Sequence, residues 1–430
     1  MPLTVFVTDG DQRPALAIVR ALGGRGLTVI VGEQQRDSLA SRSKYCTRHV
    51  TYPSPHVDCD AFDRFLSSFL AQERVDVVMP VTDVTMHAVS RNQERLRHCS
   101  LAVPPFDAFD RVTNKARLIE HAARCGVPVP RTHVVAGRAR LTSVIDAVEY
   151  PAVVKPIYSR TRTARGWVPG TAHYVRSRDE LVRVYDDHEY LAFHTSLIQE
   201  RIVGPAVGLF VLFERGRLVA DFSHRRLREK PPAGGVSVLS ESVAVDPGLR
   251  AHAIRLLGSI GWHGVAMLEY KRDRRTGNCV LIEINGRFWG SLQLAIDAGV
   301  DFPFLTYQIA RGLRPRPVPP GETGVRSRWL LGDLDHLLLR LSRRRAALDL
   351  PDDAPSIGRA VFEFLKVVQP GLRYDVIRGS DWRPFAYELE RYIGGLFHWV
   401  THSRQRSHAS AAAIVGASTD SAGQRAAVKA

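Results

Sequence analysis

The first hundred residues alternate between short apolar runs and stretches of helical periodicity, and this alternation constrains the fold more than any other feature. The runs LTVFVT, LTVIVGE and VDVVMPVTD are predicted strands, and RPALAIVRALGGRG and DAFDRFLSSFLAQER between them are predicted helices. Strands that alternate with helices are typical of a parallel α/β sheet. We therefore predict a small parallel sheet at the start of the chain.

The turn after the first predicted strand, TDGDQRPAL, has a single glycine, whereas a dinucleotide-binding turn has the GxGxxG pattern. A Rossmann dehydrogenase is therefore disfavoured. Thr82 and Asp83 follow the third strand, at the edge where α/β sheets hold ligands, although a helix N-cap explains them equally well.

After about residue 113 the rhythm changes, and strands, hairpins and helices follow one another without βαβ order, which indicates an α+β region. YPAVVKPI, SLIQERIVG and GVAMLEYKRDRRTGNCVLIEINGR contain predicted strands, and GLFVLFERGRLVADFSHRRL is a predicted hairpin with its turn at ERGR. PRPVPPGETG is a predicted linker, and WLLGDLDHLLLRLSRRRAALDL an amphipathic helix that packs on the core.

The formal net charge is +15, and the chain has 52 arginines but only 7 lysines. Such a charge can indicate an anionic partner. The arginines are spread among acids, however, and no basic platform interleaved with aromatic residues is evident, so we predict a solvated basic surface and no nucleic acid partner. A retained lysine is the more informative residue here, because its compact ammonium suits a tight phosphate contact.

Cysteine usage and hydropathy set further limits. The five cysteines are scattered without a CxxC, which argues against a disulfide framework or a zinc site. No apolar run approaches the roughly 20 residues of a membrane span, and the N-terminus lacks the features of a signal peptide. We therefore expect a cytoplasmic protein without a membrane span.

Acidic side chains come together in the predicted hairpin AMLEYKRDRRTGNCVLIEINGRFWGS. Its two strands bring Glu269 close to Glu283, and strand alternation turns Asn285 and Arg287 to the same side as Glu283. Two carboxylates and an amide oxygen form a site suited to Mg²⁺ or Mn²⁺, with positions open for phosphates. A surface hairpin with routine ion pairs is the alternative interpretation.

This hairpin is the last in a series of motifs. NKARLIEHAARCGVPVPRT has a lysine at a helix start, YPAVVKP has a lysine on a strand, and LIQERIVG forms a hinge before VLIEINGR. In this order and spacing the motifs resemble those of the ATP-grasp superfamily, and the resemblance covers residues 3–312. The Asn-x-Arg form is most similar to the carbamoyl-phosphate synthetase large-chain and biotin carboxylase branch.

The resemblance implies a nucleotide site between two lobes. ATP would lie with its phosphates on Lys115 and Lys155, and with its adenine at the hinge formed by Gln199, Glu200 and Ile202. Two Mg²⁺ or Mn²⁺ ions would be bound by the three residues of the hairpin, Glu269, Glu283 and Asn285.

Two arginines are predicted to be catalytic, Arg287 because the resemblance implies it and Arg226 because of the segment in which it lies. Arg287 would steady an acyl phosphate or the substrate carboxylate. Arg226 belongs to the basic segment SHRRLREKPPAGGVSVLSES, which is predicted to leave a strand, open into a loop at Gly234 and Gly235, and hold an anionic substrate or the γ-phosphate. An exposed basic turn is the alternative for this segment.

Two positions depart from the superfamily pattern. Where many members have an acid that binds ribose, this chain has Ala206, so ribose must be held otherwise or less tightly. The phosphate-covering loop is normally rich in glycine, but here it reads YSRTRTARGW, with Gly166 as its one glycine. Arginine and hydroxyl side chains, among them Arg160 and Arg162, would replace backbone amides in this loop.

These observations predict an ATP-grasp fold, α/β and α+β, with a Rossmann-like pre-ATP-grasp domain and a helical C-terminal extension. The predicted boundaries are 1–112 for the pre-ATP-grasp domain, 113–200 for the N-terminal lobe with its lid loop 156–167, 201–315 for the C-terminal lobe, 316–402 for the extension and 403–430 for a disordered tail.

The predicted activity is that of an ATP- and Mg²⁺-dependent ligase, which forms a carbon–nitrogen or carbon–sulfur bond through an acyl phosphate. The partners would be ATP, a small carboxylate and a nucleophile, and the resemblance allows a homodimer. A phosphotransferase is the alternative within the superfamily, and a basic anion- or nucleic-acid-binding protein is the alternative outside it.

Overall fold

The N-terminal residues form a parallel sheet, as the strand–helix alternation predicts. The computed structural model describes residues 3–163, 166–232, 234–342, 348, 350 and 354–395; for 161–163, 166 and 168–169 it describes the backbone alone. Five parallel strands lie in the order β3-β2-β1-β4-β5. Their bounds are β1 Thr4–Val7, β2 Thr28–Glu33, β3 Arg48–Thr51, β4 Val77–Met79 and β5 Ser100–Leu101.

The helices of this region follow the strands along the chain. They are α1 Arg13–Gly23, α2 Cys59–Gln72, α3 Asp83–Arg91, α4 Phe106–Thr113 and α5 Lys115–Arg124. Thr82 is the N-cap of α3 and forms a capping box with Thr85, so the helix-cap interpretation of Thr82 is confirmed.

The next part of the chain builds a four-stranded antiparallel sheet with a hydrophobic core of its own. Lys155 and Val153 are half-buried on one face of its strand β7, while Ala152 and Val154 belong to that core. The strands lie in the order β10-β7-β11-β6, and the elements are β6 Thr132–Ala136, two 3-10 turns at Arg138–Ser143 and Ile145–Ala147, β7 Ala152–Pro156, β10 His173–Val175, α6 Arg178–Asp187, α7 Glu189–Phe193 and β11 Thr195–Glu200.

Two further strands lie between β7 and β10. They are β8 Arg160–Thr163 and β9 Gly166–Pro169, which pair antiparallel. They lie in the predicted lid loop, 156–167, and β9 continues two residues beyond it, so much of this segment is paired strand rather than loop.

A seven-stranded sheet follows, in the order β16-β15-β12-β13-β14-β17-β18. The predicted turn at ERGR is present, because Arg215 and Gly216 have φ angles of 48° and 86°, as a two-residue type I′ turn requires. The elements are β12 Ala206–Glu214, β13 Arg217–Lys230, β14 Val236–Val243, α8 Pro247–Gly258, β15 Gly264–Arg272, β16 Cys279–Asn285, α9 Leu292–Asp297 and α10 Phe302–Ala310.

The C-terminal extension is helical, and it also supplies the last two strands of the large sheet. β17 (Arg326–Arg328) pairs with β14, and β18 (Leu372–Tyr374) pairs with β17 in parallel. Both strands are only three residues long, too short for a periodicity argument to detect. The helices are α11 Leu330–Ser342, α12 Ile357–Leu365 and the helical residues 383–395.

Buried ion pairs fasten this extension to the rest of the molecule. Asp333 of α11 accepts hydrogen bonds from Arg228 of β13 and from Arg328 of β17, at 2.6 Å each. Arg20 of α1 donates to Asp381 at 2.8 Å. The predicted disordered tail, 403–430, lies outside the described residues, and within those residues no helix has the length and apolar character needed to cross a membrane.

Candidate active site

Two carboxylates face each other in the large sheet, as the hairpin pattern predicts. Glu269 on β15 is the direct cross-strand partner of Glu283 on β16. The side-chain amide of Asn285 donates to Glu269 Oε1 at 3.2 Å and to Glu283 Oε1 at 3.3 Å. Strand alternation places Asn285 on the same face as Glu283, so one patch holds two carboxylates and one amide.

The surrounding charges act differently on the two carboxylates. Burial raises the pKa of Glu269, and the negative charge of Glu283 raises it further. For Glu283, burial also acts to raise the pKa, but the positive charges of Lys115 and Lys155 outweigh it, so the pKa is lowered. The site therefore favours the ionised form of Glu283 and opposes that of Glu269.

Both lysines singled out in the sequence lie beside this patch. Lys115, the first residue of α5, donates from Nζ to Ser159 Oγ at 2.8 Å and lies 3.9 Å from Glu283 Oε2. Lys155 projects from β7 into a cavity that Lys115, Glu269 and Glu283 also line. Burial lowers the pKa of Lys155 to about 8, with the charge of Glu283 opposing the shift and that of Lys115 adding to it.

The two arginines reach the patch from different elements. Arg226 of β13 donates to Glu269 Oε2 at 2.7 Å and to Glu229 Oε1 at 2.9 Å. Arg287 follows β16, donates to Asn285 Oδ1 at 3.3 Å, and is held at 2.9 Å by Asp83 at the start of α3. The N-terminal region therefore contributes Asp83 to the site, which a position at a strand's carboxyl edge makes possible.

The basic segment around Arg226 differs from its prediction. His224, Arg225, Arg226 and Arg228 do not leave a strand but lie within β13, which continues to Lys230. Their contacts differ, because side chains alternate between the two faces and the register with β14 shifts after Arg226. Arg225 contacts Glu241, Arg228 contacts Asp333, and His224 is buried against Ser291. Of these four residues, the sheet directs Arg226 toward the carboxylate pair.

The polar side chains of the hinge residues at the end of β11 are bonded to neighbouring residues. Gln199 Nε2 donates to Thr132 Oγ1 at 2.9 Å, and the carboxylate of Glu200 accepts from the backbone and side chain of Arg131. Ile202 is buried, and all three hinge residues line the same cavity as Lys155. The backbone N–H groups of Glu200 and Arg201 are engaged as well, by Arg131 O and Pro151 O.

One residue that the sequence motifs do not identify lies beside this hinge. Lys271 of β15 is the cross-strand partner of Ala206 and lines the cavity. Burial lowers its pKa, and the charge of Arg201 lowers it further. Because Lys271 is at i+2 from Glu269, strand alternation alone places it on the face of the site, and this signal was available in the sequence.

Two cavities meet at the carboxylate pair. The first has a volume of about 450 Å³ and lies between the four-stranded and seven-stranded sheets, lined by both lysines, the hinge and Arg226. The second has a volume of about 280 Å³ and extends toward α3 and α4. The residues common to both walls are Lys115, Tyr158, Ser159 and Glu283.

Strands β8 and β9 contribute residues to the wall of the second cavity. Trp167 of β9 donates from its backbone to His56 O at 2.8 Å and from Nε1 to Cys59 Sγ at 3.1 Å. Its ring stands edge-on to that of His87 on α3, with centroids 5.3 Å apart. Arg160 lines the cavity, whereas the side chain of Arg162 lies outside the described atoms.

The donor set fits a hard divalent cation whose coordination is completed by a substrate. Within the described part of the chain, no group of three or more His, Cys, Asp and Glu side chains is arranged to hold a metal. The patch has two carboxylates and one amide, and burial, followed by the negative charge of Glu283, raises the pKa of Glu269 even though Arg226 is bonded to it. A cation with phosphate and water ligands would offset the negative charge of the pair.

Comparison with known proteins gives one family match and one curated relative. Residues 192–332 match a family described as ATP-grasp in the biosynthetic pathway with Ter operon. The N-terminal section of the carbamoyl phosphate synthase large chain from Methanopyrus kandleri is 26% identical over 234 residues, which cover 51% of this chain and 39% of that protein. This chain thus matches less than half of the relative's length.

Solved structures share the fold at low identity. The L-amino acid ligase from Bacillus licheniformis is 19% identical with a TM-score of 0.56, covering 72% of this chain and 74% of that one. The biotin carboxylase domain of the Hydrogenobacter thermophilus 2-oxoglutarate carboxylase, solved with MgADP, ADP and bicarbonate, is 16% identical with a TM-score of 0.59, covering 73% and 70%.

Proposed function

We propose that this chain, an ATP-grasp protein by its fold and by its family match, is an ATP- and Mg²⁺-dependent ligase that joins a carboxylate to an amine or another nucleophile. One observation carries the proposal. Lys115, Lys155 and Arg226 meet the Glu269–Glu283 pair around a single cavity between two sheets. Cations facing hard-oxygen donors suit a metal-bound triphosphate.

The structural neighbours support this direction. One is named as an amino acid ligase, and another holds MgADP and bicarbonate, a nucleotide with a carboxylate-like anion. By analogy, the hinge main chain of this protein would receive adenine, and Lys271 would lie beside the ribose, where Ala206 removes the acid of other members. Glu269, Glu283 and Asn285 would hold Mg²⁺, which neutralises phosphate oxygens when bound.

The chemistry requires positioning more than acid or base catalysis. A carboxylate oxygen attacks the γ-phosphorus of ATP, the bond from that phosphorus to the β–γ bridging oxygen breaks, and ADP leaves. A nucleophile then attacks the acyl carbon, the carbon–oxygen bond to phosphate breaks, and phosphate leaves while the nucleophile loses its proton. Lys115, Lys155, Arg226 and Arg287 stand where negative charge gathers during both steps.

The test is ADP release by the full chain with Mg·ATP and a panel of carboxylates, with hydroxylamine added to trap an acyl phosphate as a hydroxamate. We expect carboxylate-dependent ADP release and a hydroxamate, both abolished by Glu283→Ala. Glu241→Gln, in the same sheet but paired with Arg225 and Arg326, is the matched control and should retain both. Phosphoryl transfer without any hydroxamate would identify a phosphotransferase and reject the ligase.

A further inference from the structure

Nucleotide binding as proposed above uses one end of the second cavity, where Lys115, Glu283 and Asn285 lie, and leaves the rest of it without a role. One end is charged, where Lys115, Glu283 and Asn285 stand beside the first cavity. The other end is aromatic, where His87, Phe109 and Trp167 form the wall. Asp83 and Asp110 also line the cavity, and both carboxylates are already engaged, by Arg287 and by Tyr158 and Arg117 respectively. A cavity with a charged end and an apolar end suits an amphipathic molecule.

The aromatic end is built by three separate elements. His87 of α3 stands edge-on to Phe109 of α4, with centroids 6.5 Å apart, and edge-on to Trp167 of β9 at 5.3 Å. Phe109 and Val112 are buried in the core beneath, so this part of the wall has fixed positions.

The size of the cavity bears on the substrate. Its volume of about 280 Å³ is far above the roughly 10–15 Å³ that a single water molecule needs, so it has room for a molecule of many atoms. The neighbour with MgADP holds bicarbonate, which is a one-carbon acid. A site for bicarbonate alone would have no use for an aromatic wall.

We propose that the second cavity binds the carboxylate substrate and selects an organic acid with an aromatic or similarly broad apolar side chain. The acid group lies at the end shared with the first cavity, beside Lys115 and within reach of Arg287, where a γ-phosphate would arrive. The side chain lies among His87, Phe109 and Trp167. This assignment rests on the proposed ligase function for the acid's fate but not for its binding.

Binding is therefore tested without ATP, by titrating 3-phenylpropanoate, acetate and bicarbonate while following tryptophan fluorescence and binding heat. We expect saturable quenching and heat with 3-phenylpropanoate and neither with acetate or bicarbonate. Trp167→Phe should lose the fluorescence change and keep the heat. Trp382→Phe is the matched control, since that side chain is exposed and outside the cavity, and it should keep both signals.

Two further variants test the wall itself. Phe109→Ala should weaken 3-phenylpropanoate binding roughly tenfold or more, since apolar contacts in such pockets discriminate at that level. Val112→Trp should fill the cavity and abolish acid binding. Thermal stabilisation by Mg·ADP, retained in both, shows that the fold and the first cavity are intact.

The outcomes separate this inference from the proposed ligase activity. Equal binding of bicarbonate and 3-phenylpropanoate, or unchanged 3-phenylpropanoate binding in Val112→Trp, overturns the pocket assignment. Bicarbonate-dependent ADP release without binding of 3-phenylpropanoate overturns the assignment and leaves the ligase standing. Tight 3-phenylpropanoate binding without acid-dependent ADP release or hydroxamate supports the pocket and overturns the ligase.

Discussion

Glu269 and Glu283 are direct cross-strand partners, and the single amide of Asn285 donates to both carboxylates. Two acids opposite each other on adjacent strands repel, and Arg226 beside Glu269 and Lys115 beside Glu283 offset that repulsion in the isolated protein. We expect a bound cation to offset it further, so that the protein with a bound cation is more stable than the isolated protein. This difference between the two states can be measured with conservative variants.

Glu269→Gln should separate stability from ligand binding. Burial and the charge of Glu283 raise the pKa of Glu269, so a neutral side chain of the same shape removes an unfavourable ionisation. We expect the melting temperature of the unliganded protein to stay equal or rise, while stabilisation by Mg·ADP is lost. Glu241→Gln should show the opposite pattern, because arginines lower the pKa of Glu241. A retained Mg·ADP shift in Glu269→Gln contradicts the prediction.

Lys155 should make nucleotide affinity fall in alkaline solution. Burial lowers its pKa to about 8, so above that pH the ammonium loses the proton with which it would contact a phosphate. We expect the Kd for Mg·ADP to rise with pH above about 8 in the wild type. Lys155→Arg should bind more weakly overall but without this pH dependence, and Lys230→Arg should behave like the wild type. Parallel pH profiles for the wild type and Lys155→Arg would falsify the role of Lys155.

The pair formed by Ala206 and Lys271 should determine how well the protein distinguishes ribose from 2′-deoxyribose. Because the two residues are cross-strand partners, a glutamate at 206 would stand beside Lys271 and could accept from ribose hydroxyls. We expect Ala206→Glu to prefer ADP over 2′-deoxy-ADP by roughly fivefold more than the wild type does, the effect of a hydrogen bond of ~1 kcal/mol. Ala206→Gln tests the amide in place of the acid. No gain in discrimination with either variant rejects this account of the ribose site.

His224 should make the protein sensitive to acid. Burial lowers its pKa to about 3, whereas the unfolded chain has a His pKa near 6.5, so the unfolded state binds the proton first as the pH falls. The stability that neutral His224 contributes is therefore fully present above about pH 6.5 and is lost towards about pH 3. Between these values the free energy of unfolding decreases by up to ~1.4 kcal/mol for each unit by which the pH falls. Chemical denaturation of His224→Leu should show a shallower slope in that window. Ser291→Ala, which removes only the hydrogen-bond partner, should keep the wild-type slope.

Asp333 should be among the most sensitive positions of the C-terminal extension. It is almost fully buried between Arg228 and Arg328, and its removal leaves two buried cations without their carboxylate partner. We expect Asp333→Ala to lower the free energy of unfolding by ~3–5 kcal/mol. Asp335→Ala, two residues along α11 and paired with the more exposed Lys230, should cost less than ~1 kcal/mol. Equal losses in the two variants contradict the prediction.

Much of the fold was predictable from local pattern. The parallel N-terminal sheet follows from its strand–helix alternation, and the partnership of Glu269 with Glu283 follows from a short polar turn between two strands. The similarity to ATP-grasp proteins is confirmed by the fold and the family match. The domain boundaries and the roles of Lys115, Lys155, Gln199, Glu200, Ile202 and the metal-site residues remain predictions.

Contacts between distant segments were not predictable. Trp167 meets Cys59 across 108 residues, and Arg287 meets Asp83 across 204, and no periodicity records such pairings. The position of Arg226 depends on the continuation of β13 to Lys230. The last residues of this strand are polar, so the sequence pattern did not predict that they continue it. Lys271 differs from these cases, because its position two residues after Glu269 on β15 is enough to place it on the same face.

The edge strands of the large sheet affect how the protein is made. β14 is complete at Val243, but its outer neighbours β17 and β18 come from residues 326–328 and 372–374. A ribosome adds about 5–20 residues per second, so the hydrogen-bonding edge of β14 waits several seconds for its partner. During translation that open edge is a place where nascent chains could pair with one another, and chaperone binding there would protect the yield of folded protein.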